Sequence, residues 1–249
     1  MTVLALEIGS SRFAATRVAD DVGTEDVRQI PIPASGAWDR CRDILLDAAE
    51  GAEVTALGIA SAGPIDMAAG VVAPMEVPEW RTGFGIVEAA RKLFPTASVH
   101  LALDGVCSAL AERNFGALSN VMDGLAIIAS DRISGGVIVG GFTVVGRTGN
   151  AGHVGHVLVP GFDDRCVCGG RGCLEAVAGG ASAVRWAREQ GWAGTTVTEL
   201  VEAARAGESV PAPPHDPAAT SLGPPVPNAA AQHAHDHDLH RATNPESGT

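Results

Sequence analysis

His156, Cys166, Cys168 and Cys173, gathered in the run GHVGHVLVPGFDDRCVCGGRGCLEA, constrain this chain more than anything else in its 249 residues. Three soft thiolates and one imidazole make a complete tetrahedral zinc set. A metal held this way closes a loop that could not order itself unaided, because its binding energy becomes folding energy for the surrounding segment. Protein donors fill all four positions, so the expected role is structural; a catalytic zinc keeps one position open for water. The other reading of these thiols is as disulfide partners or inert side chains. Only Cys41 and Cys107 remain to pair with an odd thiol. Cys107 lies in a helix-like apolar run, which suits a disulfide framework poorly.

With 46% hydrophobic and 18% charged residues, the chain is long enough for a sizeable core, or for two lobes sharing a cleft. Its formal net charge of −12 repels phosphate backbones and anionic lipid, and no basic patch offsets it. Neither nucleic acid nor a membrane is therefore an expected partner. The opening residues MTVLALEIGSSR lack a basic leader, and no later run approaches about 18 uninterrupted apolar residues. The expected location is the cytoplasm, where reduced thiols are available to zinc.

Two β-like runs, 3–8 and 13–18, are joined by the small turn Gly9, Ser10, Ser11 and predict a hairpin. A helix over 38–50, a strand over 56–60 ending in the turn Gly63, Pro64, Ile65, Asp66, a helix over 86–94, a strand over 99–103 and a helix over 105–115 follow. Strands alternating with helices predict an α/β lobe over residues 1–120. A second lobe is expected over 121–209: a further hairpin around Gly140 and Gly141, the zinc segment, then helices over 181–190 and 197–206. From 210 to 249 the sequence is Pro-, Ala- and His-rich and is expected to be disordered. It holds His215, His233, His235, His237 and His240, of which the last four are spaced closely enough to chelate a metal; the other reading is a solvated tail without function.

Over roughly residues 3 to 190 these motifs resemble the ROK family of bacterial sugar kinases and sugar-responsive repressors. Gly155, His156, Cys166, Cys168, Gly169, Gly172, Cys173 and Glu175 are similar to the family's one-His, three-Cys signature. The run GIASAGPIDMAAGVV, which contains Gly63, resembles the segment whose Gly-Pro-Val-Asp turn borders the sugar pocket. LALDGVCSALAERNFGAL resembles the family's Glu-Asn-Asp-Ala-Asn run and puts Asp104 on the catalytic aspartate. The resemblance implies an actin-like, ribonuclease-H-like two-lobed ATPase fold with a structural zinc loop. It also implies phosphorylation of a hexose, glucose or an N-acetylated amino sugar, by ATP with Mg²⁺, and a homodimer.

In that reading Asp104 is the general base. A sugar hydroxyl is a weak nucleophile, and a fixed carboxylate can take its proton as it attacks the γ-phosphate. An Asp before a helical run equally serves as a helix cap. Family alignment nominates Glu175 and His156 for the sugar hydroxyls, where Glu175 could instead be a charge favoured at a helix N-terminus. The nucleotide side falls on Glu7, Gly9, Ser10 and Ser11, and on Gly135 and Gly136.

Several positions depart from the family pattern. Glu7 replaces the aspartate of Asp-x-Gly-Gly-Thr, and magnesium's octahedral demands tolerate altered reach poorly. Ser130, Asp131, Arg132, Ile133 and Ser134 precede the two remaining glycines of the second phosphate loop, Gly135 and Gly136. Leu103 and His153 occupy positions where the family has asparagine and glutamate. The family's adenosine loop and returning helix find no counterpart after the zinc segment, so an incomplete second lobe is expected. The sequence thus supports a sugar kinase or, alternatively, a catalytically impaired sugar sensor or scaffold. Opening on its first strand, the chain is expected to lack the winged helix of the family's repressors.

Overall fold

The computed structural model describes residues 2–208, so the expected tail over 210–249, with its histidines, lies outside the described residues. The chain divides into two compact units. One comprises residues up to 126 together with 135–153, the other residues 127–134 together with those from 154 onward.

The first unit is built on β1 (Thr2–Ile8), β2 (Arg12–Arg17), β3 (Arg28–Pro31), α1 (Ala37–Ala49), β4 (Val54–Ser61), β5 (Ile65–Asp66), β6 (Val71–Val72), α2 (Ile86–Leu93), β7 (Ser98–Leu103) and α3 (Asp104–Phe115). Its five-stranded sheet has the order β3-β2-β1-β4-β7. β1 and β2 form the expected hairpin, while β4 runs parallel to β1 and β7 parallel to β4. Parallel neighbours need a crossover, and the helices supply it. Alternate residues Leu4, Leu6 and Ile8 of β1 are buried against α1 and α2, with Leu57, Ile59 and Leu101 beside them. The opposite face carries small residues, and Ala5, Gly58, Ala60 and Ala102, with Cys107 and Leu110 of α3, line a cavity of about 500 Å³.

α1 starts at Gly36 in the left-handed region (φ 69°) with no side-chain cap of its own. Glu79, distant in sequence, supplies one: its carboxylate accepts the Gly36 N–H at 2.9 Å and the Ala37 N–H at 2.8 Å. These backbone donors hold the Glu79 carboxyl below its ordinary range. The strand β3 and the β5–β6 hairpin were not expected from the sequence. They are short, half-exposed pieces without the periodicity that marks a longer element.

Three strands follow: β8 (Gly124–Ala129), β9 (Ile133–Val139) and β10 (Phe142–Thr143), in the sheet order β10-β9-β8. The sequence reading places 135–153 in the second lobe, whereas these residues cluster with the first unit. Backbone proximity explains this. A Cβ on Gly105 of α3 would collide with the Gly135 backbone, and one on Gly136 would collide with the Gly105 carbonyl and stand 2.8 Å from Ala109 Cβ. Helix and strand touch backbone to backbone, which only glycine permits. Replacing Gly105 by alanine is therefore expected to cost about 1–3 kcal/mol. A lowered urea midpoint at unchanged m-value would register this; an unaltered midpoint would show the contact to be slack.

The second unit adds α4 (Leu174–Ala178), α5 (Gly180–Glu189) and α6 (Val197–Arg205). α5 and α6 match the expected helices and bury Ala183, Val184, Ala187 and Leu200 together, with Trp186 and Trp192 packed alongside. α6 is closed by a capping box in which Thr196 and Glu199 exchange side-chain and backbone hydrogen bonds.

Candidate functional site

The four donors singled out in the sequence converge within the second unit. His156 ends a 3₁₀ turn (Val154–His156). The chain then folds back so that Leu158 bridges to Cys173 and Arg165 to Arg171. Between the latter pair, Cys166 N–H donates to Gly170 O at 2.9 Å and Gly169 N–H to Cys166 O at 3.0 Å. Gly169 sits at φ 90° and Gly172 at φ 70°, where a side chain would be strained. This tight knuckle brings Cys166, Cys168 and Cys173 toward one another, with Cys166 and Cys173 buried and Cys168 exposed.

The ligand atoms of His156, Cys166, Cys168 and Cys173 all lie within 4.8 Å of one another. Cys168 Sγ is 3.8 Å from Cys173 Sγ, and Cys166 Sγ is 3.7 Å from His156 Nδ1. Four donors about 2.3 Å from a common centre stand about 3.8 Å apart along a tetrahedral edge, the length of these two contacts, so the group is one that could hold a metal ion. A disulfide would require sulfurs about 2.0 Å apart, and all five cysteines are free thiols. Burial pushes the Cys166 thiol up, and burial together with neighbouring thiols pushes Cys173 up to about 12. The Gly170 N–H pulls Cys168 down, while burial and the Arg132 charge lower His156. A cation entering this group displaces thiol protons.

Glu175 lies in the first turn of α4, two residues past Cys173, which is the N-cap of that helix. Its side chain is only 6% exposed, unusual for a carboxylate. Oε2 accepts the Ile133 N–H at 2.5 Å, and Oε1 lies 3.6 Å from an Arg132 guanidinium nitrogen. The helix N-terminus favours the charge, but the bond to β9 shows a second engagement that no local pattern signals.

Asp104, Gly63 and His153 belong to the first unit. Asp104 is half-buried and follows directly on β7 as the first residue of α3, and its Oδ1 accepts the Gly105 N–H at 2.6 Å. It is the first residue of the helix, directly after the N-cap residue Leu103. A Cβ on Gly63 would stand 3.0 Å from Leu103 Cδ1 and 3.2 Å from His153 Cδ2. The Gly63 turn, the end of β7 and His153 therefore meet in one place. Asn150, missed in the sequence, secures this arrangement: it accepts the Ile65 N–H at 2.9 Å and donates to Ile65 O at 2.7 Å. Its only sequence signal is its place three residues before His153.

On the nucleotide side, Glu7 is half-buried at the end of β1, and Gly9 closes the β1–β2 turn by donating to Arg12 O at 3.0 Å. A Cβ on Gly9 would lie 3.2 Å from Glu7 Oε1, so the carboxylate is folded against the turn that also carries Ser10 and Ser11. Gly135 and Gly136 are buried inside β9 against α3. At Gly136 that packing leaves no room for a Cβ.

The sequence profile of the ROK family matches residues 3–231. The chain belongs to the ROK family. It is 36% identical over 184 residues to the N-acetylmannosamine kinase of Citrobacter koseri, covering 72% of this chain and 62% of that protein. Against the kanosamine kinase of Amycolatopsis mediterranei it is 37% identical over 158 residues, 64% of this chain and 51% of the other. The ROK chain thus spans less than two thirds of these relatives. Among solved structures it superposes on a ROK family glucokinase from Streptomyces griseus in complex with glucose and AMPPNP, with a TM-score of 0.72, 26% identity and coverage of 84% of this chain and 72% of that one. The ROK hexokinase of Thermus thermophilus gives 0.63, with 30% identity and coverage of 84% and 70%. The α/β architecture with its mixed sheet is that of ROK sugar kinases. Among the described residues no helix is long and apolar enough to cross a membrane.

Proposed function

We propose that this ROK protein transfers the γ-phosphoryl group of ATP to a hydroxyl of a hexose, of the glucose or N-acetylated amino sugar class, in the cytoplasm. The observation that carries this reading is Asp104: a half-buried carboxylate at the carboxyl end of a parallel strand, oriented by the Gly105 N–H and next to the Gly63 turn. Ligand-binding groups of α/β sheets collect at such strand ends. The 36% identity to an N-acetylmannosamine kinase supports the substrate class.

In the mechanism, Asp104 accepts the proton of the attacking hydroxyl, which raises that oxygen's nucleophilicity as it meets the phosphoryl group. The residues assigned to sugar hydroxyls are His153, the Gly63 turn, Glu175 and His156. Glu7, with Ser10 and Ser11, offers oxygen donors of the type Mg²⁺ takes, and the small Gly9 turn admits a phosphate close to backbone. Gly135 and Gly136 serve the nucleotide side by keeping β9 hard against α3. His156, Cys166, Cys168 and Cys173 would hold zinc, a fit carried by donor softness and by their spacing. Bound there, zinc supplies structural order and leaves no open position for substrate.

A second reading, a catalytically impaired sugar sensor or scaffold, rests on the turn before β9, where Ser130 and Arg132 stand in place of loop glycines and Asp131 in place of a threonine. Calorimetric titration separates the two. Heat with both a hexose and ATP–Mg²⁺, together with sugar-dependent ADP release, supports the kinase; heat with hexose alone supports the sensor. No heat with any hexose overturns both. The homodimer implied by the family is checked by sedimentation in the same preparation.

A further inference from the structure

The turn joining β8 to β9 is gripped residue by residue by the helix pair that follows the cysteine cluster. Gly180 N–H donates to Ser130 O at 3.2 Å and Ala181 N–H to Asp131 O at 3.3 Å. The Arg132 guanidinium lies 3.6 Å from Glu175 Oε1, and Ile133 N–H donates to Glu175 Oε2 at 2.5 Å. Glycines make this approach possible: a Cβ on Gly180 would collide with Ser130 O, and one on Gly179 would stand 2.7 Å from Glu175 Oε1. Glu175 is the one charged side chain of α4, a five-residue helix whose N-cap, Cys173, is itself a member of the cysteine cluster.

We propose that Glu175 is a positioning residue that transmits the order of the metal-binding cluster to the turn 130–133. The physical chain is short. Whatever fixes Cys173 fixes the start of α4, and so the Glu175 carboxylate. A buried carboxylate that keeps its backbone N–H partner holds that amide and the adjacent guanidinium in place. Release of the cluster frees the helix start and loosens all four turn residues together. This rests on the kinase reading only in naming the turn as the nucleotide-side loop; the mechanical link itself needs no turnover.

The test is hydrogen exchange by mass spectrometry on the full chain, zinc-loaded and after chelation, for the wild type, Glu175→Ala and Glu175→Gln. In the wild type, chelation is expected to speed exchange over 130–133 at least tenfold. In Glu175→Ala the same amides exchange at least tenfold faster with zinc still bound, and chelation adds little more, because the shared link is already cut. Glu175→Gln keeps an acceptor for the Ile133 N–H and restores most of the protection. Metal content, measured on each sample, confirms that the cluster is filled. If Glu175→Ala loses its zinc, Arg132→Ala replaces it as the cut, with partial loss of protection at the turn expected. The proposal is overturned if chelation deprotects the turn equally in wild type and Glu175→Ala, or if neither change affects it. Absence of ATP heat in the same samples would count against the kinase reading and leave this link standing.

Discussion

Asp104→Asn is expected to lower sugar-dependent ADP release by about 10²–10⁴-fold, the range a positioned general base contributes. Asparagine keeps the volume and retains an oxygen for the Gly105 N–H that aligns Asp104 at 2.6 Å. What it removes is the capacity to take a proton. The loss therefore falls on kcat, with the KM for sugar changing little, because ground-state contacts survive. Stability stays near wild type, since the side-chain volume and the acceptor for the Gly105 N–H are both kept. Full kcat in Asp104→Asn would refute the base assignment. A drop in kcat matched by a collapse of the melting transition would mean the residue acts on the fold.

Cys173→Ser is expected to abolish zinc binding and to open the segment 154–178. Cys173 is 3% exposed, caps α4 and belongs to the four-donor cluster. Structural zinc sites of this type contribute about 10–16 kcal/mol of apparent binding energy, and forfeiting even ~3 kcal/mol of it speeds local opening about a hundredfold. Exchange over 154–178 should rise by at least that factor while the β1–β4–β7 core keeps its protection, because that core is assembled from its own apolar contacts. Cys107→Ala is the control. That thiol stands outside the cluster, with burial and then the Asp104 charge raising it to about 11, and its loss leaves metal content unchanged. A Cys173→Ser protein that still carries stoichiometric metal would sink the assignment of the cluster.

The sites legible in the sequence are those whose signal is local. The cysteine knuckle could be read because its donors sit within a short run, and their mutual distances follow from a few glycine-permitted turns at Gly169 and Gly172. The β1–β2 hairpin, α1, α2, α5 and α6 could be read because apolar residues recur at the period of their element. Asp104 was legible as a residue between a strand and a helix. The folded chain adds that its Oδ1 accepts the adjacent Gly105 N–H.

What needed the folded chain is everything carried by residues far apart in sequence. Glu79 caps α1 across 42 positions, Asn150 secures Ile65 across 85, and Glu175 grips Ile133 across 42. Gly135 and Gly136 read as the remaining glycines of a phosphate loop, and only the folded chain adds that Gly105 is pressed on their backbone. Sequence by itself determined the longer elements, the donor set and the family pattern, because periodicity and ligand spacing are set by neighbours along the chain. Tertiary structure alone decided which carboxylate holds which amide and where the compact units divide. Those outcomes depend on sheet order and on how closely two backbones approach, and no single segment encodes either.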